Sequence, residues 1–152
     1  MGSNLGDRAG NLLAAVDALG VLPGTTVVAT SSFFETPALK VGKVDPGGAY
    51  LNAAVVLRST LSPRHLLAAL NEIERSRGRD RTLPHGSPRP LDLDLVLYGD
   101  QVINEPDLCI PHPRMHERLF VLEPLAEIAP EWVVPGRDKT VKQLMKQVRG
   151  LR

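Results

Sequence analysis

The sequence predicts an α+β sandwich with an antiparallel sheet, and three observations lead there. Segments rich in β-branched residues come in pairs, with helical stretches between the pairs rather than in strict alternation. The octet Leu91 to Tyr98, LDLDLVLY, alternates with the period of a strand. Ser62-Pro63 ahead and Gly78 behind punctuate an amphipathic stretch as a helix. At 152 residues the chain fits one domain, 1–152.

In chain order, Asn11 to Leu19 reads as a helix, with Leu12, Val16 and Leu19 on one stripe. Gly2 to Asp7 reads as a turn feeding it, with Asn4 or Asp7 as N-cap. Thr25 to Ser32 is β-branched and reads as a strand. Phe33 to Ala49 is a long loop, and loops of that length in small domains are usually functional or mobile. Tyr50 to Ser59 reads as one strand. The helix after Ser62 carries Leu66, Leu67, Leu70 and Ile73 on its apolar stripe. Arg79 to Pro90 is a second irregular loop, and it is basic. The octet follows as a strand, then short strands near Val102 and at Leu108 to Ile110. His116 to Leu122 and Pro124 to Ile128 read as two short helical segments. Thr140 to Val148 closes as an amphipathic helix.

Composition narrows the function classes. Hydrophobic residues make up 43%, which suits a globular chain, and 18 basic residues meet 17 acidic ones. That balance gives no reason to expect nucleic acid or a membrane surface as partner. The single cysteine, Cys109, precludes an intrachain disulfide and fits a reducing compartment. No apolar run is long enough for a membrane span and no signal core opens the chain, so the expectation is a cytoplasmic protein.

The chemistry concentrates around the octet. Leu91, Leu93, Leu95 and Leu97 would face a core, while Asp92 and Asp94 share the other face, roughly 6.5–7 Å apart. Paired carboxylates repel unless a cation sits near, and hard oxygens on a fixed backbone suit Mg²⁺. Arg77, Arg79, Arg81 and Arg89 surround the loop just before them. Guanidinium forks beside a magnesium site suit a polyphosphate. The alternative is a solvated surface with ordinary salt bridges. Cys109, His112 and His116 have metal-ligand spacing, but Pro111 and Pro113 bar a single helix and no fourth ligand follows. His112 and Arg118 remain either a second phosphate clamp or a structural turn. Phe33, Phe34, Tyr50 and Phe120 are either core or stacking groups for a flat ring, whose edge Asn52 could read.

GSNLGDR at Gly2, SSFFETPAL at Ser31, YLNAAV at Tyr50, IERSRGRDR at Ile73, PRPLDLDLVLYGD at Pro88 and PHPRMHERLFVLEPLAEIAP at Pro111 occur in order. Together they resemble the 6-hydroxymethyl-7,8-dihydropterin pyrophosphokinases of folate biosynthesis. The resemblance implies a ferredoxin-like fold. It implies transfer of the β,γ-pyrophosphoryl group of ATP to the pterin hydroxymethyl, giving AMP, with two Mg²⁺ ions. Asp92 and Asp94 would hold the metals, and Asp92, Arg79 and Arg89 would act in catalysis. Glu74, Arg79, Arg81, Arg89, His112 and Arg118 would bind ATP. Thr36, Ala38, Leu39, Tyr50, Asn52 and Phe120 would line the pterin pocket. Asp92 is the nearest general base, though a metal-bound carboxylate is a poor one. ATP and the pterin are the expected partners, and neighbouring folate-pathway enzymes possible ones. A catalytically impaired binding relative and a plain interaction domain are the alternatives.

Two departures stand out. Many members have a tryptophan in the loop before Pro88-Arg89, whereas the only tryptophan here is Trp132. The family also has an apolar strand directly ahead of the Gly-Ser-Asn, where this chain has Met1. The expectation is therefore a sheet without its first strand, by truncation or with another segment or chain filling the gap.

Overall fold

The computed structural model describes residues 1–150. Helix α1 (Arg8–Gly20) starts earlier than its apolar stripe, because the Asp7 carboxylate accepts the Gly10 N–H at 3.1 Å. Asp7 is thus the cap, and Asn4 is used elsewhere. Helix α2 (Pro63–Ser76) begins as predicted, with the Ser62 hydroxyl accepting from the His65 N–H at 3.2 Å. Gly78, at φ +91°, turns the chain out of it. In α4 (Val141–Gly150), Thr140 and Gln143 cap each other reciprocally.

Among the described residues the strands form small antiparallel sheets, so the class is α+β. In one sheet β1 (Gly2–Ser3) pairs with β4 (Tyr50–Asn52), which pairs with β3 (Phe34–Thr36). In another, β2 (Thr25–Thr30) pairs with β5 (Val55–Ser59), with a register shift between Val27 and Ala29. Hairpins β6 (Ile103–Glu105) with β7 (Leu108–Ile110), and β8 (Val133–Val134) with β9 (Lys139–Thr140), complete the set.

The helices cover the extended segments from two sides. Leu12, Ala15 and Leu19 of α1 pack with Leu70 and Ile73 of α2 on Ala53, Leu91 and Leu93. Leu122 and Leu125 of α3 (Leu119–Ile128) pack with Val141 and Leu144 of α4, Met115 and Val134. Filling two such layers is the main favourable term, at roughly 25 cal/mol per Å² of apolar surface buried.

Several elements differ from expectation. Tyr50 to Ser59 is not one strand: it breaks at Ala53-Ala54, where β4 and β5 pair with different partners. The long loop contains β3, held because β4 already presents an edge, with Asn52 opposite Phe34 and Tyr50 opposite Thr36. The two helical segments after Pro111 become a 3₁₀ turn (Met115–Glu117) and one continuous α3, with Pro124 inside it. Pro124 forfeits one helix bond, but its ring is buried between Leu122 and Leu125.

The largest correction concerns the octet. Only Asp92 makes a ladder pair, exchanging hydrogen bonds of 2.8 and 2.9 Å with Gly2. Leu93 to Tyr98 run extended without a strand partner, because β1 ends at Gly2 on that side. The leucine face also breaks: Leu91, Leu93 and Leu95 join the α1–α2 core, whereas Leu97 turns to the α3–α4 core. The Met1 ammonium donates to the Ala53 carbonyl at 2.8 Å. Burial lowers its pKa, opposed by Asp94, Asp92 and Glu74.

Candidate active site

The site is built where the Arg79–Pro90 loop re-enters the sheet. Pairing with Gly2 fixes the backbone of Asp92, and the Leu93 side chain anchors the next residue in the core. Asp92 and Asp94 therefore project together, as their alternation predicts. One Asp92 oxygen accepts from Arg79 at 3.1 Å and forms an ion pair with Arg89 at 3.1 Å. No cation pairs with Asp94 among the described residues. Protein crowding around Asp94, and then the charge of Asp92, raise its pKa above the ordinary carboxylate range.

Behind them lies Glu74, which is 1% exposed. Its carboxylate accepts the Leu93 N–H at 2.7 Å and Arg79 at 3.2 Å on one oxygen, and Arg81 on the other. Arg81 also reaches Asn71 at 3.0 Å. Burial raises the Glu74 pKa, and the Leu93 and arginine contacts oppose that rise. Arg77, grouped with the other arginines by sequence, turns away and binds the Asn11 side chain at 2.8 Å.

Two cavities meet at this cluster. The larger, about 1340 Å³, is lined by Thr36, Leu39, Tyr50, Asn52, His112, Arg118 and Phe120 together with Arg89, Asp92 and Asp94. The smaller, about 490 Å³, is lined by Glu74, Arg79, Arg81 and again Arg89, Asp92 and Asp94. The larger also runs along the channel between Val55–Ser59 and Leu93–Tyr98, over Leu66 and Leu70.

Within the larger cavity, the Asn52 amide donates to the Thr36 hydroxyl at 2.7 Å and to the Phe34 carbonyl at 3.3 Å. Tyr50 is half-buried, and burial raises the pKa of its phenol. The Arg118 guanidinium lies 5.5 Å from the centre of the Phe120 ring. His112 Nδ1 accepts the Arg114 N–H at 3.2 Å, and burial lowers the pKa of the ring. Phe33 packs on the core instead.

The structure thus assembles the residues that the resemblance assigned to metal, ATP and pterin, except Ala38, which is half-buried but outside both cavity linings. Arg77, Phe33, Cys109 and His116 also lie outside both linings. His112 and Arg118 line the larger cavity, apart from Arg79 and Arg81 in the smaller.

Comparison with known proteins decides the family. The family model described as 7,8-dihydro-6-hydroxymethylpterin-pyrophosphokinase (HPPK) matches residues 1–130. The chain belongs to the HPPK family. A 2-amino-4-hydroxy-6-hydroxymethyldihydropteridine pyrophosphokinase of Synechocystis sp. is 45% identical over 148 residues, 97% of this chain and 73% of that protein. One from Bacillus subtilis is 44% identical over 128 residues, 84% of this chain and 74% of its own length. The folic acid synthesis protein fol1 of Pneumocystis carinii is 40% identical over 148 residues, which is 97% of this chain but 19% of fol1. No described helix of this HPPK-family chain is long and apolar enough to cross a membrane.

Sequence reasoning missed Asn4. It is 6% exposed, and its side chain meets both long loops. The short polar residue between Gly2 and Gly6 was a signal, but a turn explains it equally well.

Proposed function

We propose that the chain transfers the pyrophosphoryl group of ATP to the hydroxymethyl oxygen of 6-hydroxymethyl-7,8-dihydropterin, in folate biosynthesis. The new bond joins that oxygen to the β-phosphorus. The bond from the β-phosphorus to the α–β bridging oxygen breaks, AMP leaves, and the hydroxyl proton is released. The observation that carries the detailed reading is the meeting of two cavities at Asp92, Asp94 and Arg89. A ring held in the larger cavity would present its hydroxymethyl to phosphates entering from the smaller.

Roles follow from the contacts. Thr36, Leu39, Tyr50, Asn52 and Phe120 would hold the pterin, with Ala38 acting through the backbone around Leu39. Arg79, Arg81 and Arg89 would bind and neutralise phosphates, and His112 and Arg118 would complete the nucleotide site. Glu74 would act on ATP indirectly, by orienting Arg79 and Arg81. Asp92 and Asp94 would hold magnesium. The donor set fits: two hard carboxylates, one of them without a cation partner among the described residues and raised in pKa by burial first and then by the other. Magnesium would supply charge neutralisation on the phosphate oxygens. Arg79 and Arg89 would then move from Asp92 onto the phosphates, which offer more acceptor oxygens.

The finer fold belongs to the same proposal. A ferredoxin-like sheet, across the single domain 1–152, would have a strand between Val55–Ser59 and Leu93–Tyr98. The apolar channel there and the β1 pairing at its mouth support that arrangement. Association with other folate-pathway enzymes is a further expectation, since the match to fol1 occupies a minor part of that protein.

The test is a mixture of protein, ATP, Mg²⁺ and the hydroxymethyl dihydropterin. AMP formed only with pterin present is the expected result. ADP, or no nucleotide product, overturns the reading.

A further inference from the structure

Two motifs far apart in the sequence meet at Ser32 and Glu127. Ser32 belongs to SSFFETPAL, and Glu127 to the end of PHPRMHERLFVLEPLAEIAP. The Ser32 N–H donates to one Glu127 carboxylate oxygen at 2.8 Å, and the Ser32 hydroxyl donates to the other at 2.7 Å. The contact falls where the chain changes sheets. Thr25–Thr30 pairs with β5, Phe34–Thr36 pairs with β4, and residues 31–33 cross between them. Ser31 ties the crossing to the sheet: its N–H donates to the Ala54 carbonyl at 2.9 Å, and its hydroxyl accepts the Ala54 N–H at 2.8 Å. Phe33 anchors in the core. Ser32 belongs to neither ladder, and Glu127 supplies the acceptor that its N–H needs.

Glu127 stands in the last turn of α3, where a negative charge opposes the helix dipole. The Ser32 hydroxyl and N–H nevertheless hold its pKa below the ordinary carboxylate range. The same face of α3 carries the ring pocket. Phe120, Glu123, Pro124 and Glu127 follow the i, i+3, i+4, i+7 spacing of one helical stripe. The first three line the larger cavity, and Glu127 lies two turns beyond Phe120, roughly 10 Å along the axis. Strand β3 contributes Phe34 and Thr36 to that cavity, and Asn52 of β4 is tied to Thr36 at 2.7 Å. Helix α3 packs against both strands. The cavity thus has α3 along one side and β3 with β4 along another, and the Glu127–Ser32 contact joins the two just before β3 begins.

We infer that Glu127 is a positioning residue for the pterin, fixing β3 to α3 through Ser32 so that Thr36 and Asn52 keep their place relative to Phe120. The inference rests on the proposed function. A flat ring needs its stacking face and its hydrogen-bonding edge held together, and a shift of about 1 Å is enough to weaken a positioned contact. Without Glu127, residues 31–33 keep Ala54 and the core but lose their tie to α3. The strand then gains freedom relative to Phe120. The phosphate-facing Arg79, Arg81 and Arg89 sit on a different loop and keep their partners.

The experiment compares two affinities in each variant. One is for 6-hydroxymethylpterin with α,β-methylene-ATP and Mg²⁺ saturating, and the other is for α,β-methylene-ATP alone. The methylene bridge blocks transfer. Glu127→Ala should weaken pterin binding roughly 3- to 10-fold, the range of a hydrogen bond's net contribution, and leave nucleotide affinity at the parent value. Ser32→Ala removes one of the two bonds and should give a smaller loss of the same kind. Glu127→Gln can still accept the Ser32 N–H and should restore most of the affinity. Ser32→Ala combined with Glu127→Ala should cost no more than Glu127→Ala alone, because the pair acts as one contact. Unchanged pterin affinity in Glu127→Ala overturns the inference. So does equal weakening of both ligands, which general loosening of the fold would give. Where Glu127→Ala melts below the assay temperature, Ser32→Ala decides by the same two readings. A parent that makes AMP while these variants bind pterin as it does defeats this inference alone, whereas a parent that makes no AMP defeats the proposed function.

Discussion

The Leu93 N–H donates to the buried Glu74 carboxylate at 2.7 Å. Leu93 is the residue between Asp92 and Asp94, and it lies beyond the last ladder pair of its segment. A side chain from α2 therefore supplies the hydrogen bond that a neighbouring strand would give. It holds the backbone between the two acids, and it orients Arg79 with the same oxygen.

Glu74→Ala should accordingly cost about 3 kcal/mol of stability, the low end for breaking a buried charge network. Leu93 and Arg79 would both lose a buried partner. Denaturant melts of the variant and parent give the number. A loss within the range of an ordinary surface substitution would show that the acids hold their geometry without Glu74.

Asp94→Ala should leave the melting temperature near the parent value and reduce turnover about 100-fold or more. Its carboxylate faces the cavities and packs on nothing that the core requires. Kinetics over a Mg²⁺ titration separates the two effects, and a variant retaining most of its rate would remove Asp94 from the metal site.

His112 predicts a pH dependence. Burial lowers its pKa in the folded chain, so the unfolded chain binds the proton more readily. Stability should therefore rise as pH climbs from below the folded pKa to the ordinary histidine value of about 6.5, and level off above it. Protonation at Nδ1 would also cost the hydrogen bond from Arg114. His112→Gln should flatten that part of the profile. Melts across the acid range that are equally steep in both proteins would exclude His112 as the cause.

Placing an in-frame apolar strand segment ahead of Met1 should raise the melting temperature by several degrees, in line with a gain of about 1 kcal/mol or more. Such a segment would continue the β1 register into the channel and exchange the buried Met1 ammonium for a neutral peptide group. Equal melting temperature and turnover with and without the extension would sink the idea that the channel takes a strand.

Much of the site was legible in the chain. The alternation of LDLDLVLY put both acids on one side, and the arginines before it indicated a polyanion. Both readings depend on short-range periodicity and charge, which survive in sequence. The α2 boundaries were legible for the same reason, since Ser62, Pro63 and Gly78 act within a turn of themselves.

What the chain alone could not decide were the pairings. Strand character in Leu93 to Tyr98 fails because a ladder needs a second backbone, and periodicity does not report whether one is there. Arg77 and Arg79 look alike in sequence, yet one serves Asn11 and the other Asp92, as the exit of α2 aims them apart. Asn4 lies 42 to 85 residues from its partners, and only the folded chain brings them within hydrogen-bond reach. Sequence by itself determined the family, the acid pair and the local caps. Tertiary structure decided which charges meet, how the loops are tied and where the two cavities join, because those depend on contacts between segments distant along the chain.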